Sequence, residues 1–156
     1  MVVRLTGMPH VLVREQLVLR PRREVFAFFA DAANLERLTP PRLRFSIQTP
    51  LPILMRPGAI IDYRLSLFGV PFRWRTVIES FEPDERFVDV QAAGPYALWR
   101  HQHEFVEVPR GTLIRDRVEY QLPLGPLGAI AHALFVRRQL AHIFAYRHGV
   151  IAQMFG

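Results

Sequence analysis

The sequence predicts an α+β fold in which a seven-stranded antiparallel sheet wraps around one long C-terminal helix, with two short helices after the first strand. Between residues 44 and 122, short segments alternate between apolar and polar residues, as strands do. After Pro126 the apolar residues recur at the spacing of an amphipathic helix. Because strands and helices are grouped along the chain, this arrangement is favoured over alternating βαβ units.

The N-terminal part of the chain predicts the first strand and the two short helices. Apolar alternation indicates the strand, and Pro21 then stands where a helix can begin. Asp31 can end the first helix and cap the second, which Pro40 and Pro41 stop. The predicted bounds are 10–20 for the strand and 24–30 and 35–38 for the helices.

Six further strands follow. Gly94-Pro95 and Pro109-Arg110-Gly111 are typical of turns, and neighbouring strands joined by short turns pair in an antiparallel meander. The predicted strands are 44–48, 59–68, 72–81, 86–93, 98–108 and 112–122.

The C-terminal segment predicts one long helix whose apolar face lies on the sheet, with its polar face towards solvent. We expect a twisted sheet that closes around such a helix to leave a cavity between them. The apolar positions are Ala133, Val136, Leu140, Ile143, Val150 and Met154, and the polar ones are His132, Gln139, His142, Tyr146 and Gln153.

Composition and charge exclude several classes of function. The 156 residues, 50% of them hydrophobic, suit a single domain (1–156) with a core large enough to hold a cavity. The chain lacks cysteine and lysine, which excludes disulfides, thiolate metal sites, a lysine Schiff base and a P-loop lysine. The formal charge of +6 comes from scattered arginines, so we expect no nucleic-acid partner but leave transient contact with a membrane surface open.

No segment predicts secretion or membrane insertion. Residues 1–10 lack the apolar run of about 7–15 residues that a signal peptide needs. The apolar stretch 127–155 is interrupted by charged and polar residues, so it does not predict a membrane span. We expect a cytoplasmic protein, either a monomer or a homodimer.

Four stretches together resemble a known superfamily. Their sequences are EVFAFFADAANL at 24–35, GVPFRW at 69–74, GPY and WRHQHEF within 94–105, and GT, DRVEY and LP within 111–123. The chain from about residue 10 to 150 resembles the START-like (SRPBCC) superfamily, and most of all its bacterial ligand-binding branch of polyketide cyclase/dehydrase-like proteins.

The resemblance implies the helix-grip fold of lipid-transfer domains and birch-pollen-type allergens, and with it the binding of hydrophobic ligands. It also implies that no metal is used in general. Because this scaffold hosts carriers, receptors and cyclases, the resemblance does not choose between a carrier and an enzyme.

The strand 98–108 carries two histidines on the face that we expect to lie inside. Trp99, His101 and His103 alternate with more polar residues and share their face with Phe105. Both histidines are therefore expected to face the cavity or its rim.

The next strand carries a carboxylate on its apolar face. Asp116 and Tyr120 are predicted to point inwards, and a buried carboxylate needs a partner. A histidine across the hairpin is one candidate, because cross-strand neighbours lie about 5 Å apart. Arg147, near the centre of the apolar face of the helix, is the other.

Two interpretations of this polar cluster stay open. In the functional one, His103, Asp116, Tyr120 and Arg147 hold a polar group of a ligand, or the first three act as general acid and base in a cyclisation or dehydration. In the structural one, the same groups satisfy each other and attach the helix to the sheet, or Arg147 extends to solvent.

His101 and His103 also have the spacing of two metal ligands on one strand face. The sequence fixes no third ligand beside them, so we predict no metal site and no cofactor.

The connection 49–58 holds three prolines together with several apolar residues, among them Leu54 and Met55. These residues form either a lid over the cavity mouth or part of the core. Tyr63 and Trp74 are likewise core residues or cavity-lining residues.

We therefore predict a protein that binds a lipid, isoprenoid, quinone or polyketide-like ligand between sheet and helix. The alternative is a polyketide cyclase or dehydratase that uses the same cavity. The predicted ligand contacts are Leu54, Met55, Tyr63, Trp74, Trp99, His101, His103, Asp116, Tyr120 and Arg147.

Overall fold

The computed structural model describes residues 7–156. The prediction that residues 1–10 lack a secretory segment falls mainly outside this range. Among the described residues, no helix is both long and apolar enough to cross a membrane.

One antiparallel sheet of seven strands forms the body of the described part of the molecule. The strands are β1 His10–Val18, β2 Ser46–Ile47, β3 Ile60–Leu67, β4 Val70–Glu82, β5 Arg86–Ala93, β6 Leu98–Val108 and β7 Gly111–Gln121. Their order in the sheet is β1-β7-β6-β5-β4-β3-β2, so consecutive strands from β2 to β7 pair with each other and β1 pairs with β7.

The helices confirm the predicted order: two short ones follow β1 and one long one follows the sheet. The first part comprises α1 Arg22–Ala30, a 3₁₀ turn at Ala32–Asn34, α2 Leu35–Leu38 and a second 3₁₀ turn at Pro41–Leu43. We call Pro126–Ala131 (α3), a π-helical turn at His132–Val136 and Arg137–Phe155 (α4) together the C-terminal helix. The α+β helix-grip fold is thus confirmed.

Local sequence signals explain how the chain turns after α1. Asp31 ends α1 as predicted, but its Oδ1 atom accepts a hydrogen bond from the backbone N–H of Ala33 at 3.0 Å and so caps the 3₁₀ turn before α2 rather than α2 itself. The side chain of Asn34 donates to the carbonyl of Phe28 at 2.9 Å. These two bonds stabilise the connection between α1 and α2.

The C-terminal helix contains a π-helical turn, and its buried and exposed faces differ in part from the predicted ones. Its wider turn contains one more residue per hydrogen-bonded ring than an α-turn, so residues on either side of it do not follow a single α-helical period. His132 and Gln139, predicted on the solvent face, are buried, and Ala133, predicted on the sheet face, is exposed. Beyond the turn the buried positions are Gln139, Leu140, Phe144, Arg147, Ile151 and Phe155.

Within residues 7–156 the core consists of two apolar clusters. One gathers α1, the adjoining ends of β5 to β7 and the end of the C-terminal helix, with Phe26, Phe29 and Phe105 among its members. The other gathers the opposite ends of the strands and the beginning of α4, with Trp74 and Phe144 among its members.

Candidate ligand-binding cavity

A cavity of about 170 Å³ lies between the sheet, the short helices and the C-terminal helix. Strands β3 to β6 supply one wall, and α4 supplies Leu140, Ile143 and Phe144. Most of the wall is apolar. The ionisable side chains that border it, apart from Tyr63 and Tyr96, are Asp89, His101, His103 and Arg147.

The register of three strands brings these groups together. His101 and His103 lie two residues apart on β6, with Asp89 of β5 opposite His101 and Asp116 of β7 opposite His103. The two imidazole rings stack with their centroids 3.6 Å apart. We call Asp89, His101, His103, Asp116 and Arg147 the polar row.

Each histidine bonds to the carboxylate that lies diagonally across from it. Nε2 of His101 lies 2.7 Å from Oδ1 of Asp116, and Nε2 of His103 lies 2.6 Å from Oδ2 of Asp89. Because an ionised carboxylate only accepts hydrogen bonds, both ring nitrogens donate. The cross-strand partner that the sequence predicts for Asp116 is thus His101, while Nδ1 of the directly opposite His103 lies 3.6 Å away.

Arg147 connects the helix to this network. Its guanidinium donates to Oδ1 of Asp116 and to Nδ1 of His103, both at 3.3 Å. The same group lies over the ring of Phe29, 5.0 Å from the centroid, and is 5.9 Å from that of Phe144. Arg147 is only 8% exposed, so it does not extend to solvent. The polar row therefore lies between the two apolar clusters.

The surroundings keep both carboxylates ionised. Burial by itself would raise the pKa of Asp116, but the positive charge of Arg147 and the hydrogen bond from His101 outweigh it and hold that pKa well below its ordinary value. Burial likewise opposes ionisation of Asp89, yet the hydrogen bond from His103 brings the net pKa below normal.

His103 is neutral near pH 7. Burial is the main cause that lowers its pKa to about 4, and the neighbouring His101 adds to the shift. A neutral ring that donates from Nε2 to Asp89 carries its lone pair on Nδ1, where Arg147 donates. The hydrogen-bond network thus selects one tautomer of His103.

The structure separates the sequence-predicted contacts into two groups. Those that line the cavity are Met55, Tyr63, Trp74, Trp99, His101, His103 and Arg147. Leu54 is 71% exposed in the 49–58 connection, and Asp116 lies behind the histidines, on the side of α4 and β1. Tyr120 lies elsewhere and takes no part in the polar row.

Tyr120 pairs with the π-helical turn of the C-terminal helix. Its hydroxyl lies 2.7 Å from Nε2 of His132, and the ring of His10 stacks on that of His132 with centroids 3.6 Å apart. Burial, then the neighbouring His10 and Arg137, lower the pKa of His132. This contact replaces the predicted place of Tyr120 beside Asp116.

The His132 pair predicts a pH dependence of stability. A histidine whose pKa is lowered by folding stabilises the protein above the unfolded pKa of about 6.5, and this contribution is lost as the pH falls. We expect the free energy of unfolding of the wild type to fall relative to that of His132→Gln between about pH 7 and pH 5. Urea unfolding at several pH values measures the difference; a constant difference would contradict it.

Asp89 is the site residue that the sequence analysis missed. It alternates with Val88 and Val90 on β5, so the strand pattern would place the valines inside and Asp89 outside, and only Phe87 on the same face indicates the opposite. In the structure Asp89 borders the cavity. If β5 and β6 pair outwards from the 94–97 connection, Asp89 lies opposite either His101 or Gln102, depending on the register. In the structure it lies opposite His101.

Solved structures with this fold are similar over nearly the whole chain. A START superfamily protein from Mycobacterium smegmatis has 14% identity and a TM-score of 0.67, covering 95% of this chain and 99% of that one. A point mutant of norcoclaurine synthase from Thalictrum flavum, in complex with a transition-state analogue, has 13% identity and a TM-score of 0.68, with 98% and 100% covered. At these identities the likeness concerns the fold.

A third structure shows the same fold within a longer protein. A nucleoside-diphosphate sugar epimerase from Corynebacterium glutamicum has 26% identity and a TM-score of 0.62 over 91% of this chain, but only 28% of that chain is covered. A comparison with curated proteins finds no matching sequence.

A family model assigns the sequence to a family, whereas the similar structures show its fold. The model described as polyketide cyclase/dehydrase and lipid transport matches residues 18–144, which include both short helices, β2 to β7 and the C-terminal helix as far as Phe144, but only the last residue of β1. The predicted START-like resemblance is confirmed, and this chain belongs to the polyketide cyclase/dehydrase and lipid transport family.

Proposed function

We propose that this protein binds a small hydrophobic or amphipathic ligand in the cavity between the sheet and the C-terminal helix. The observation that carries the proposal is an apolar cavity bordered on one side by a few fixed polar groups. Such a wall provides binding through burial of apolar surface and orientation through its polar groups. The family, which includes lipid transport proteins, supports the same function.

The size of the cavity favours a ligand group about as large as one ring. A dry cavity of about 150 Å³ in another protein holds benzene, so 170 Å³ suits one aromatic or quinone ring or one branched isoprenoid unit. Among the predicted classes, we therefore favour a quinone, a polyketide-like aromatic or an isoprenoid over a lipid with two long chains. Longer ligands would need lining residues such as Met55 of the 49–58 connection to move.

Two buried donors favour a ligand that carries an oxygen acceptor. Among residues 7–156, neither Nε1 of Trp74 nor Nε of Arg147 has a hydrogen-bond partner. Both side chains border the cavity. Because an unsatisfied buried donor costs about 1–3 kcal/mol, a carbonyl or hydroxyl oxygen within reach of either one would add to affinity.

The direct test is native mass spectrometry of gently purified protein, with separate identification of the compounds in an organic extract. We expect one apolar or amphipathic molecule per chain. A protein that shows no bound molecule, and that also fails to bind added ring-sized apolar compounds, would contradict the proposal.

A pair of matched substitutions tests whether binding occurs in this cavity. Ile143→Trp adds an indole at the cavity wall, whereas Ile130→Trp adds the same group to an exposed position of the same helix. We expect at least about tenfold weaker binding of an environment-sensitive aromatic probe for Ile143→Trp only, because the cavity has no room for both rings. Equal effects of the two variants would place the probe elsewhere.

An enzyme of the polyketide cyclase or dehydratase type is the second candidate. The observation in its favour is the 2.6 Å bond between His103 and Asp89 at the cavity wall, since a carboxylate that orients an imidazole is typical of a general base. The basic atom would be Nδ1, which would exchange the 3.3 Å bond from Arg147 for the substrate proton. His103→Gln would then retain probe binding and lose turnover by about a hundredfold or more. A carrier would instead release its ligand chemically unchanged.

A further inference from the structure

We propose that Asp89, His101 and His103 form a binding site for one divalent transition-metal ion, such as Zn²⁺, Fe²⁺ or Co²⁺, at the wall of the cavity. Two imidazoles and one carboxylate are a donor set that these ions accept well. Three protein ligands leave coordination positions open for water or for an oxygen of a ligand in the cavity.

The geometry of the three side chains suits one ion. One donor atom from each of them lies within 4.8 Å of the others. Around an ion with bonds of about 2.0–2.2 Å, neighbouring donors lie roughly 3–3.5 Å apart, so side-chain adjustments of about an ångström complete the site. The ion would occupy the place of the proton that His103 now donates to Asp89.

The two histidines are held in place before any ion binds. Their rings stack on each other, and the ring of His103 also stacks on Phe87 with centroids 4.2 Å apart. Both side chains are at most 5% exposed. Fixed, buried donors lose little conformational entropy on binding, which favours affinity.

Asp116 stands behind both imidazoles as an orienting carboxylate does in many metal sites. Its Oδ1 accepts from Nε2 of His101 and lies 3.6 Å from Nδ1 of His103. A neutral His101 that donates from Nε2 presents its Nδ1 lone pair for coordination. His103 would coordinate through Nε2 as the other tautomer, with its proton on Nδ1 facing Asp116. This tautomer gives up the 3.3 Å bond from Arg147 to Nδ1, while Arg147 keeps its bond to Asp116. Such carboxylates raise the basicity of the coordinating nitrogen.

The charges of the polar row are compatible with a cation at this position. Arg147 lies nearby, but it pairs with Asp116 at 3.3 Å. Arg147 therefore does not form an ion pair with Asp89, and the negative charge of Asp89 is available to the ion. The proposal is independent of the identity of the apolar ligand, because it concerns the metal-binding residues alone.

Titration of the metal-free protein with Co²⁺ tests the proposal, since bound Co²⁺ in a site of low coordination number gives intense visible absorption bands. We expect one Co²⁺ per chain, displaced by one Zn²⁺. Asp89→Asn keeps the shape of the side chain and should weaken binding at least about tenfold, as should Asp116→Asn through its effect on the histidines. Circular dichroism verifies that both variants fold.

The exposed histidines His142 and His148 provide the control. The double variant His142→Ala/His148→Ala should bind Co²⁺ as the wild type does. No saturable binding by the wild type, unchanged binding by folded Asp89→Asn, or loss of binding in the double variant would each overturn the proposal. None of these outcomes would alter the expected binding of an aromatic probe by metal-free protein, so the two proposals fail separately.

Discussion

Replacing Arg147 by Met lowers the free energy of unfolding by about 3–5 kcal/mol, the usual cost of removing one partner from a buried ion pair. Arg147 and Asp116 are 8% and 6% exposed, so the substitution leaves a buried carboxylate without its cation. Met fills a similar volume, which limits the contribution of lost packing. Urea unfolding followed by circular dichroism measures the change.

Two controls isolate the charge effect. Arg138→Met changes an exposed arginine of the same helix and should alter stability by less than about 0.5 kcal/mol. The double variant Arg147→Met/Asp116→Asn should lose less stability than the two single changes added together, because it leaves no unpaired charge. Additive losses, or a loss below about 1 kcal/mol for Arg147→Met, would show that the ion pair is not coupled as the distances imply.

Phe105→Ala removes the centre of the first apolar cluster and should cost about 3–5 kcal/mol. Phe105 is 1% exposed, and its ring centroid lies 5.2 Å from that of Phe26 and 5.3 Å from that of Phe29. Neighbouring side chains held by other contacts cannot collapse fully into the space, so the loss includes a cavity contribution. Thermal and urea unfolding both measure it.

Phe135→Ala is the matched control, because the same side chain is 56% exposed on the C-terminal helix. Its expected effect is below about 0.5 kcal/mol. If both variants lost a similar free energy of unfolding, Phe105 would not be the centre of the apolar cluster.

Strand positions were predictable because each depends on local pattern and turn chemistry. The predicted bounds 86–93 and 98–108 agree with β5 and β6, and the short helix 35–38 agrees with α2. The predicted strand 44–48 is shorter, Ser46–Ile47, because it pairs only at the edge of the sheet with β3. The faces of the C-terminal helix were partly wrong, since periodicity gives no sign of a π-helical turn.

The candidate site was predictable only as far as alternation along one strand allows. That pattern placed His101, His103 and Asp116 inside, but diagonal bonds depend on strand register and ring orientation. Asp89 required the register between β5 and β6, which shifts by one residue with the length of the connection. The bond between Tyr120 and His132 required the π-helical turn.

The polar row also determines the dimensions of the cavity. Apolar contacts change little when a helix rotates by a few degrees about its axis, whereas hydrogen bonds weaken as they depart from linearity. The bonds from Arg147 to β6 and β7 therefore fix the rotation and the axial position of α4. Leu140 and Ile143 reach the cavity from that same helix. The length of the Arg147 side chain therefore sets the distance between α4 and the sheet, and with it the width of the cavity.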